Sequence, residues 1–336
     1  MEHQYSSESL QAQLATMAGM EAGAALRRLV AAGLDRLPFP GQGATLERWR
    51  ALAAVGASDL SLAKLYEGHT DALAILHEAG AQLGGPDALW GTWCAEPPDA
   101  RLMLATAADG GVVLSGRKAW CSGAQTVSHA VVSCWNEHGE AVLAALDMRQ
   151  AGVRVTEEGW HAVGMRGSGS VDVEFDRAAA IPLGAPGFYV ARPGFWHGGA
   201  GVAACWFGAA TRLAATLRTR VATQDDPHRL AQLGEVTVAL GASAARMREA
   251  AAAIDRAPMA NAMLVALSVR LCVEASASAT LAAAGRALGA GPLCKDPAIA
   301  RLFADLPVFM RQSHAERDLE AVGRMVATEA EPPWML

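Results

Sequence analysis

The segment Ser115-Gly116-Arg117-Lys118-Ala119-Trp120-Cys121-Ser122-Gly123-Ala124 gathers a basic pair, an indole and two hydroxyls around two glycines. In an extended chain, residues two apart point to the same side. Trp120 and Ser122 could therefore lie along a planar aromatic ligand, the indole by contact and the hydroxyl by hydrogen bond. The same spacing suits a β-edge carrying a core tryptophan, and the residues alone leave both readings open. Three histidines add acid–base chemistry: His69 in Tyr66-Glu67-Gly68-His69, His197 in Phe195-Trp196-His197-Gly198-Gly199, and His314 in Gln312-Ser313-His314-Ala315-Glu316. Imidazole is the side chain whose proton moves most easily near neutral pH. The three are candidates if their segments converge at a helix/β interface, and each alone also fits a capped or surface histidine.

The elements that must position these residues fall into three segments. In residues 1–85, Leu10, Leu14, Met17, Ala18, Ala25, Leu26 and Leu29 recur at helical spacing. A Pro/Gly cluster at 37–41 breaks the pattern, which resumes over Leu46–Val55 and Ser58–Ala79. Residues 86–192 carry short β-prone runs at Leu102–Thr106, Gly111–Leu114, Ala130–Cys134, Val142–Leu146, Val153–Thr156 and Val171–Phe175. Asp109-Gly110-Gly111 and Glu137-His138-Gly139 read as hairpin connections. Strands with no helical pattern between them predict a small antiparallel barrel or sandwich, not βαβ units. Residues 193–336 return to the helical period in runs over Ala203–Val221, Leu230–Ile254, Met259–Leu288 and Pro297–Met325, a C-terminal helical bundle. The predicted class is α+β, with three domains at 1–85, 86–192 and 193–336.

A net charge of −6 over 336 residues leaves no surplus of cations to neutralise phosphates, so no nucleic-acid partner is expected. The 52% hydrophobic content is rich in alanine, and charged or glycine residues interrupt the long apolar stretches, so no membrane partner is expected either. The first residues show neither a basic nor an apolar leader region, and the expected compartment is the cytoplasm. The six cysteines have no CxxC pair and read as reduced, mostly buried thiols, with no metal site expected. Gly164-Met165-Arg166-Gly167-Ser168-Gly169 reads GxxGxG, but it runs into a strand where a phosphate-binding loop would open a helix. It is read as a turn.

Several of these segments together resemble the acyl-CoA dehydrogenase superfamily. The run from Leu114 to Gly123 resembles its GxKxWxTN/SG segment, and Trp93-Cys94-Ala95-Glu96-Pro97 its TEP loop. The run from Val163 to Ser168, followed by Val171–Phe175 and Ile181-Pro182, is similar to its GMR strand. Leu288-Gly289-Ala290-Gly291 stands where that family has GGxG. The resemblance implies FAD between the β domain and the C-terminal helices. Trp120 and Ser122 would border its ring, Trp93, Cys94 and Ala95 would pass the other edge, and Ala290 and Gly291 would approach the adenine half from a homodimer or homotetramer partner.

Two departures from the family pattern shape the functional expectation. Glu96-Pro97-Pro98-Asp99-Ala100-Arg101 replaces the usual loop of thioester contacts, and Gln312-Ser313-His314 stands where the dehydrogenase carries its catalytic glutamate. The other known position of that glutamate falls near Gly198. The leading expectation is α,β-dehydrogenation of an acyl-CoA or other carrier-bound acyl substrate, with hydride passing to flavin N5 and on to an electron-transfer acceptor or oxygen. His314 or Glu316 would then serve as base. The alternatives are a flavin-dependent monooxygenase of the same fold using His69, Ser122 and His314, with no α-proton base required, and a non-catalytic protein of the flavin fold.

Overall fold

The computed structural model describes residues 6–223, 226–329, 331 and 333–335. Helices come first: α1 (Ser7–Ala15), α2 (Ala22–Ala31), α3 (Thr45–Ser58) and α4 (Leu60–Glu78). Seven strands follow: β1 (Trp90–Trp93), β2 (Leu102–Thr106), β3 (Val112–Cys121), β4 (His129–Trp135), β5 (Ala141–Asp147), β6 (Val153–Val155) and β7 (Val171–Leu183). The chain then returns to helices: α5 (Phe188–Ala191), α6 (Gly194–Val221), α7 (Pro227–Arg256), α8 (Met263–Leu288), α9 (Ala290–Lys295), α10 (Pro297–Phe309) and α11 (Glu316–Ala327). This is the α+β class expected from the periodicities. The starts of α7 and α10 use one device twice. Asp226 and Asp296 accept the free N–H groups of the first turn, from His228 and Arg229 and from Ala298 and Ile299, with a proline at the first helical position.

Compactness divides the chain into two units, one made of the residues up to Leu37 with Ser61–Phe195, the other of Pro38–Leu60 with the residues from Trp196 on. All seven strands among the described residues belong to the first. Antiparallel pairings run β4–β5–β7–β3–β2, and a single parallel pair, Met103 with Trp135, joins β2 back to β4. Those five strands thus close on themselves, leaving few open edges. The structure corrects the sequence reading in three respects. An unexpected strand, β1, pairs in parallel with β4, so the sheet is mixed. β3 runs on through the Ser115–Cys121 segment, and β7 extends to Leu183. The expected C-terminal helix over 297–325 is two helices, because Ser313 is extended and Ala315 takes φ +46° between α10 and α11.

In the first unit the apolar side of α4 packs on the sheet. Ala72, Ile75 and Leu76 form a core with Trp90, Val131, Leu143, Ala145 and Leu183. One charge lies within this sheet. Lys118 on β3 is fully buried, and its ammonium donates to Glu96 Oε1 at 2.5 Å, to the Ser133 carbonyl at 2.8 Å and to Ser133 Oγ at 2.7 Å. Glu96 also accepts from Ser133 Oγ and, at 2.9 Å, from Trp135 Nε1. Burial works against an ionised Glu96, but the hydrogen bonds from Lys118, Ser133 and Trp135 outweigh it and hold the carboxyl below its usual value. The cluster fixes the loop after β1 to β3 and β4.

In the second unit α3 and α6 meet backbone to backbone. A Cβ at Gly56 would stand 2.3 Å from the Cys205 carbonyl oxygen, and one at Gly208 would stand 2.0 Å from that of Ala53. Asp255 near the end of α7 receives Thr45 Oγ1–H at 2.6 Å and the N–H groups of Gly43 and Thr45, which secures the start of α3.

Two outcomes are expected. Gly56→Ala and Gly208→Ala each lower unfolding free energy in urea by about 1–3 kcal/mol through overpacking. Gly241→Ala in α7, where nothing lies within 4 Å of the added carbon, is neutral or stabilising by up to about 1 kcal/mol. Because Glu96 has a depressed folded value, its contribution is present above the ordinary glutamate value of 4.5 and is lost as pH falls through the folded value. In acid titrations followed by circular dichroism, Glu96→Gln is therefore less stable than the natural chain at pH 7, and the gap narrows below pH 4.5.

Candidate functional site

The segment from Ser115 to Ala124 divides its side chains between opposite tasks. Arg117 is held outside the sheet by Asp172 Oδ2 at 2.9 Å and the Asp99 carbonyl at 2.8 Å, while Lys118 is inside. Between Lys118 and Cys121 the pairing with β7 slips, and at this bulge Trp120 takes φ +58°. A left-handed backbone at a residue with a side chain costs about 1–2 kcal/mol. Here it turns the indole out of the sheet, leaving Trp120 50% exposed. Such strain concentrates where a binding surface is prepared in advance.

The bulge also overturns the simple pleat argument. Trp120 and Ser122 are not alternate residues of one regular strand, because Trp120 is left-handed and Ser122 lies in the turn after β3. They are joined locally instead: the Ser122 N–H donates to the Trp120 carbonyl at 3.0 Å. Trp93 is buried, and its Nε1–H donates to the Ser122 carbonyl at 3.0 Å, so β1 and the turn are tied together. Ser122 Oγ lies 2.7 Å from Ser170 Oγ, which lies 2.7 Å from Ser168 Oγ. Ser168 and Ser170 belong to the glycine-rich stretch before β7, which reads from sequence only as a turn. Their serines flank Gly169, and that S-G-S pattern was the signal available.

Cys94 and Ala95 follow β1 and are partly buried. Burial is the main cause that pushes the Cys94 thiol up to about 11, and a hydrogen bond links it to Tyr189. Burial likewise pushes Cys134 up to about 12 and raises Cys121 further. These three are thiols at neutral pH, not nucleophilic thiolates. Beside Tyr189, Arg192 is buried between Asp71 and Glu78, each at 3.2 Å. Burial disfavours its charge, yet the two carboxylates more than compensate and raise its value. No sequence pattern pointed to this group, because its members lie some 120 residues apart in the chain.

The histidines have different settings. His69 on α4 is buried; the Trp90 N–H donates to its Nδ1 at 3.1 Å, which places the ring proton on Nε2, 3.1 Å from Asp35 Oδ2. Both ring nitrogens are thereby engaged in holding α4 to β1 and to the end of the α2 turn. His197 on α6 belongs to the second unit, buried beside Gly41 and Pro258. His314 is exposed just before α11, with Nδ1 3.5 Å from Asp318 Oδ1, while Asp318 Oδ2 accepts the His314 backbone N–H at 3.1 Å. Glu316, in the first turn of α11, is exposed, as are Ala290 and Gly291 in the short helix α9. Among the described residues no group of three or more His, Cys, Asp or Glu is arranged to hold a metal ion.

Comparison with known proteins shows what this geometry is similar to. Residues 99–178 match the acyl-CoA dehydrogenase middle-domain family. The dibenzothiophene monooxygenase of Rhodococcus erythropolis is 30% identical over 186 residues, which is 46% of this chain and 43% of that relative's length. Two solved structures align along nearly the whole chain. KijD3 in complex with FMN and a dTDP-sugar has a TM-score of 0.79 at 20% identity, covering 96% of this chain and 94% of that one. The FMN-bound TdsC from Paenibacillus sp. A11-2, a dibenzothiophene monooxygenase, has a TM-score of 0.78 at 18% identity, covering 97% of each chain. The chain thus has the acyl-CoA dehydrogenase-like fold, and residues 99–178 within its strand segment match the acyl-CoA dehydrogenase middle domain.

Proposed function

We propose that the chain is a flavin-dependent monooxygenase of this fold, not an acyl-thioester dehydrogenase. The observation that carries the choice lies at the start of α11. Removing a proton next to a thioester requires a positioned base of suitable pKa, and in the segment expected to supply it the buried carboxylate, Asp318, is already engaged by the His314 ring and the His314 backbone N–H. Glu316 is exposed in the first turn of α11, and among the described residues no side-chain partner positions it. The relatives named as dibenzothiophene monooxygenases support the same choice.

FMN replaces FAD in this reading, because the similar structures of KijD3 and TdsC are FMN complexes. Ala290 and Gly291, assigned by resemblance to an adenine half, are exposed in a helix of six residues. The residues of the β3 bulge fit a flavin ring: Trp120 offers a flat, half-exposed face held out by its backbone, and Ser122 brings a hydroxyl beside it. Trp93 fixes the turn carrying Ser122, and Cys94 and Ala95 border the same loop. Bound and reduced, FMN supplies the electrons that activate dioxygen. The part of the β3 bulge would be to orient the ring; His314, whose ring Asp318 steadies, is the proton-handling candidate of the second unit. A flat apolar heteroaromatic compound is the substrate class we favour.

Chemically reduced FMN, the protein, 18O2 and dibenzothiophene or indole should give a product containing one 18O atom. Anaerobic mixing of the FMN complex with a panel of acyl-CoAs should leave the flavin oxidised, and bleaching would restore the dehydrogenase reading. His314→Ala should lower turnover by about 10²-fold or more while leaving the FMN dissociation constant unchanged. Unchanged turnover would remove His314 from the reaction.

A further inference from the structure

The three serines around Gly169 and Ser122 form a hydrogen-bonded chain whose direction follows from counting protons. A hydroxyl has one proton to donate. Ser168 Oγ lies 2.7 Å from the Met165 carbonyl oxygen, which can only accept, so the Ser168 proton points there. Ser170 Oγ, 2.7 Å away, must then donate to Ser168. Ser122 Oγ, 2.7 Å further along, must in turn donate to Ser170. Ser168 and Ser170 are 1% and 3% exposed, so water does not compete for these protons. At the open end, Ser122 Oγ is left with lone pairs alone. Reversing the chain would withdraw the Ser168 proton from the Met165 carbonyl.

We propose that Ser168 and Ser170 are positioning residues that make the Ser122 hydroxyl an obligate acceptor, so that it favours a reduced flavin ring over an oxidised one. This rests on the reading of the Trp120–Ser122 bulge as a flavin wall. Oxidised flavin presents a lone pair at N5, which meets the Ser122 lone pairs unfavourably. Two-electron reduction places a proton on N5, and that N–H is the donor a polarised Ser122 accepts. The other ring donor, N3–H, is present in both redox states, so pairing with it would give no redox preference.

The test compares dissociation constants of oxidised FMN and of dithionite-reduced FMN, measured anaerobically with the full chain by quenching of tryptophan fluorescence. The natural chain should bind the reduced form more tightly. Ser170→Ala frees the Ser122 proton to turn outward, and should shrink the oxidised-to-reduced ratio by about 3- to 10-fold. Ser170→Thr keeps the hydroxyl and should restore the ratio. Ser168→Ala, which removes the anchor at the other end, should move the ratio in the same direction and carries the test if Ser170→Ala does not fold. An unchanged ratio in a variant that still binds FMN overturns the serine chain and leaves the flavin reading standing. Failure of the natural chain to bind either form overturns both.

Discussion

A charge buried inside a small sheet is the constraint on which the first unit depends. Taking an ammonium out of water costs several kcal/mol unless nearly every donor is matched, and Lys118 is matched by the Glu96 carboxylate and by both oxygens of Ser133. Glu96 must therefore stay where it is, and its second oxygen recruits Trp135. The loop that carries Cys94 and Ala95 is consequently fixed to two strands that are distant from it in sequence. Two residues beyond Lys118 the strand bulges, and Trp120 turns outward. The interior ion pair and the exposed indole are thus two ends of one local arrangement: one residue anchors the strand, and its neighbours are free to face a ligand.

The same logic explains what the amino-acid sequence made legible and what it did not. Periodicity located the longer helices, though not the short α5 and α9, and six of the seven described strands, because apolar residues recur at intervals that only one kind of element can bury. It missed β1, since Trp90-Gly91-Thr92-Trp93 is four residues long and pairs with a strand that starts 39 positions later. It merged α10 and α11, since the break rests on an extended Ser313 and a positive-φ Ala315 and not on proline or glycine. Trp120 and Ser122 were legible as a pair through their types, although the pleat that justified the pairing gives way to a bulge. The chain from Ser122 to Ser168 was hidden because hydroxyl contacts between segments about 46 residues apart leave no spacing signal. His69 illustrates the converse. Its sequence setting suggests acid–base chemistry, whereas both ring nitrogens are engaged in holding neighbouring elements together.

The division of labour between types of polar group bears on the chemistry. The first unit holds its ionisable groups in matched sets: Lys118 with Glu96, Arg192 with Asp71 and Glu78, Arg117 with Asp172. Its buried thiols are held in the protonated state. Groups so tightly paired position a ligand well and move protons poorly. His314 differs, because its ring is exposed and steadied by Asp318. In the proposed reading the β3 bulge would orient a flavin, while the cofactor and oxygen would supply the reactive species.

The central claim is that the β3 bulge is the wall of a flavin site. A crystal structure of the FMN complex tests it most directly. The account predicts the isoalloxazine ring lying against the Trp120 indole with its polar edge toward Ser122 Oγ, and the left-handed backbone of Trp120 retained. FMN bound away from this bulge, or a Trp120 that relaxes to an extended conformation and leaves the ring, would contradict it.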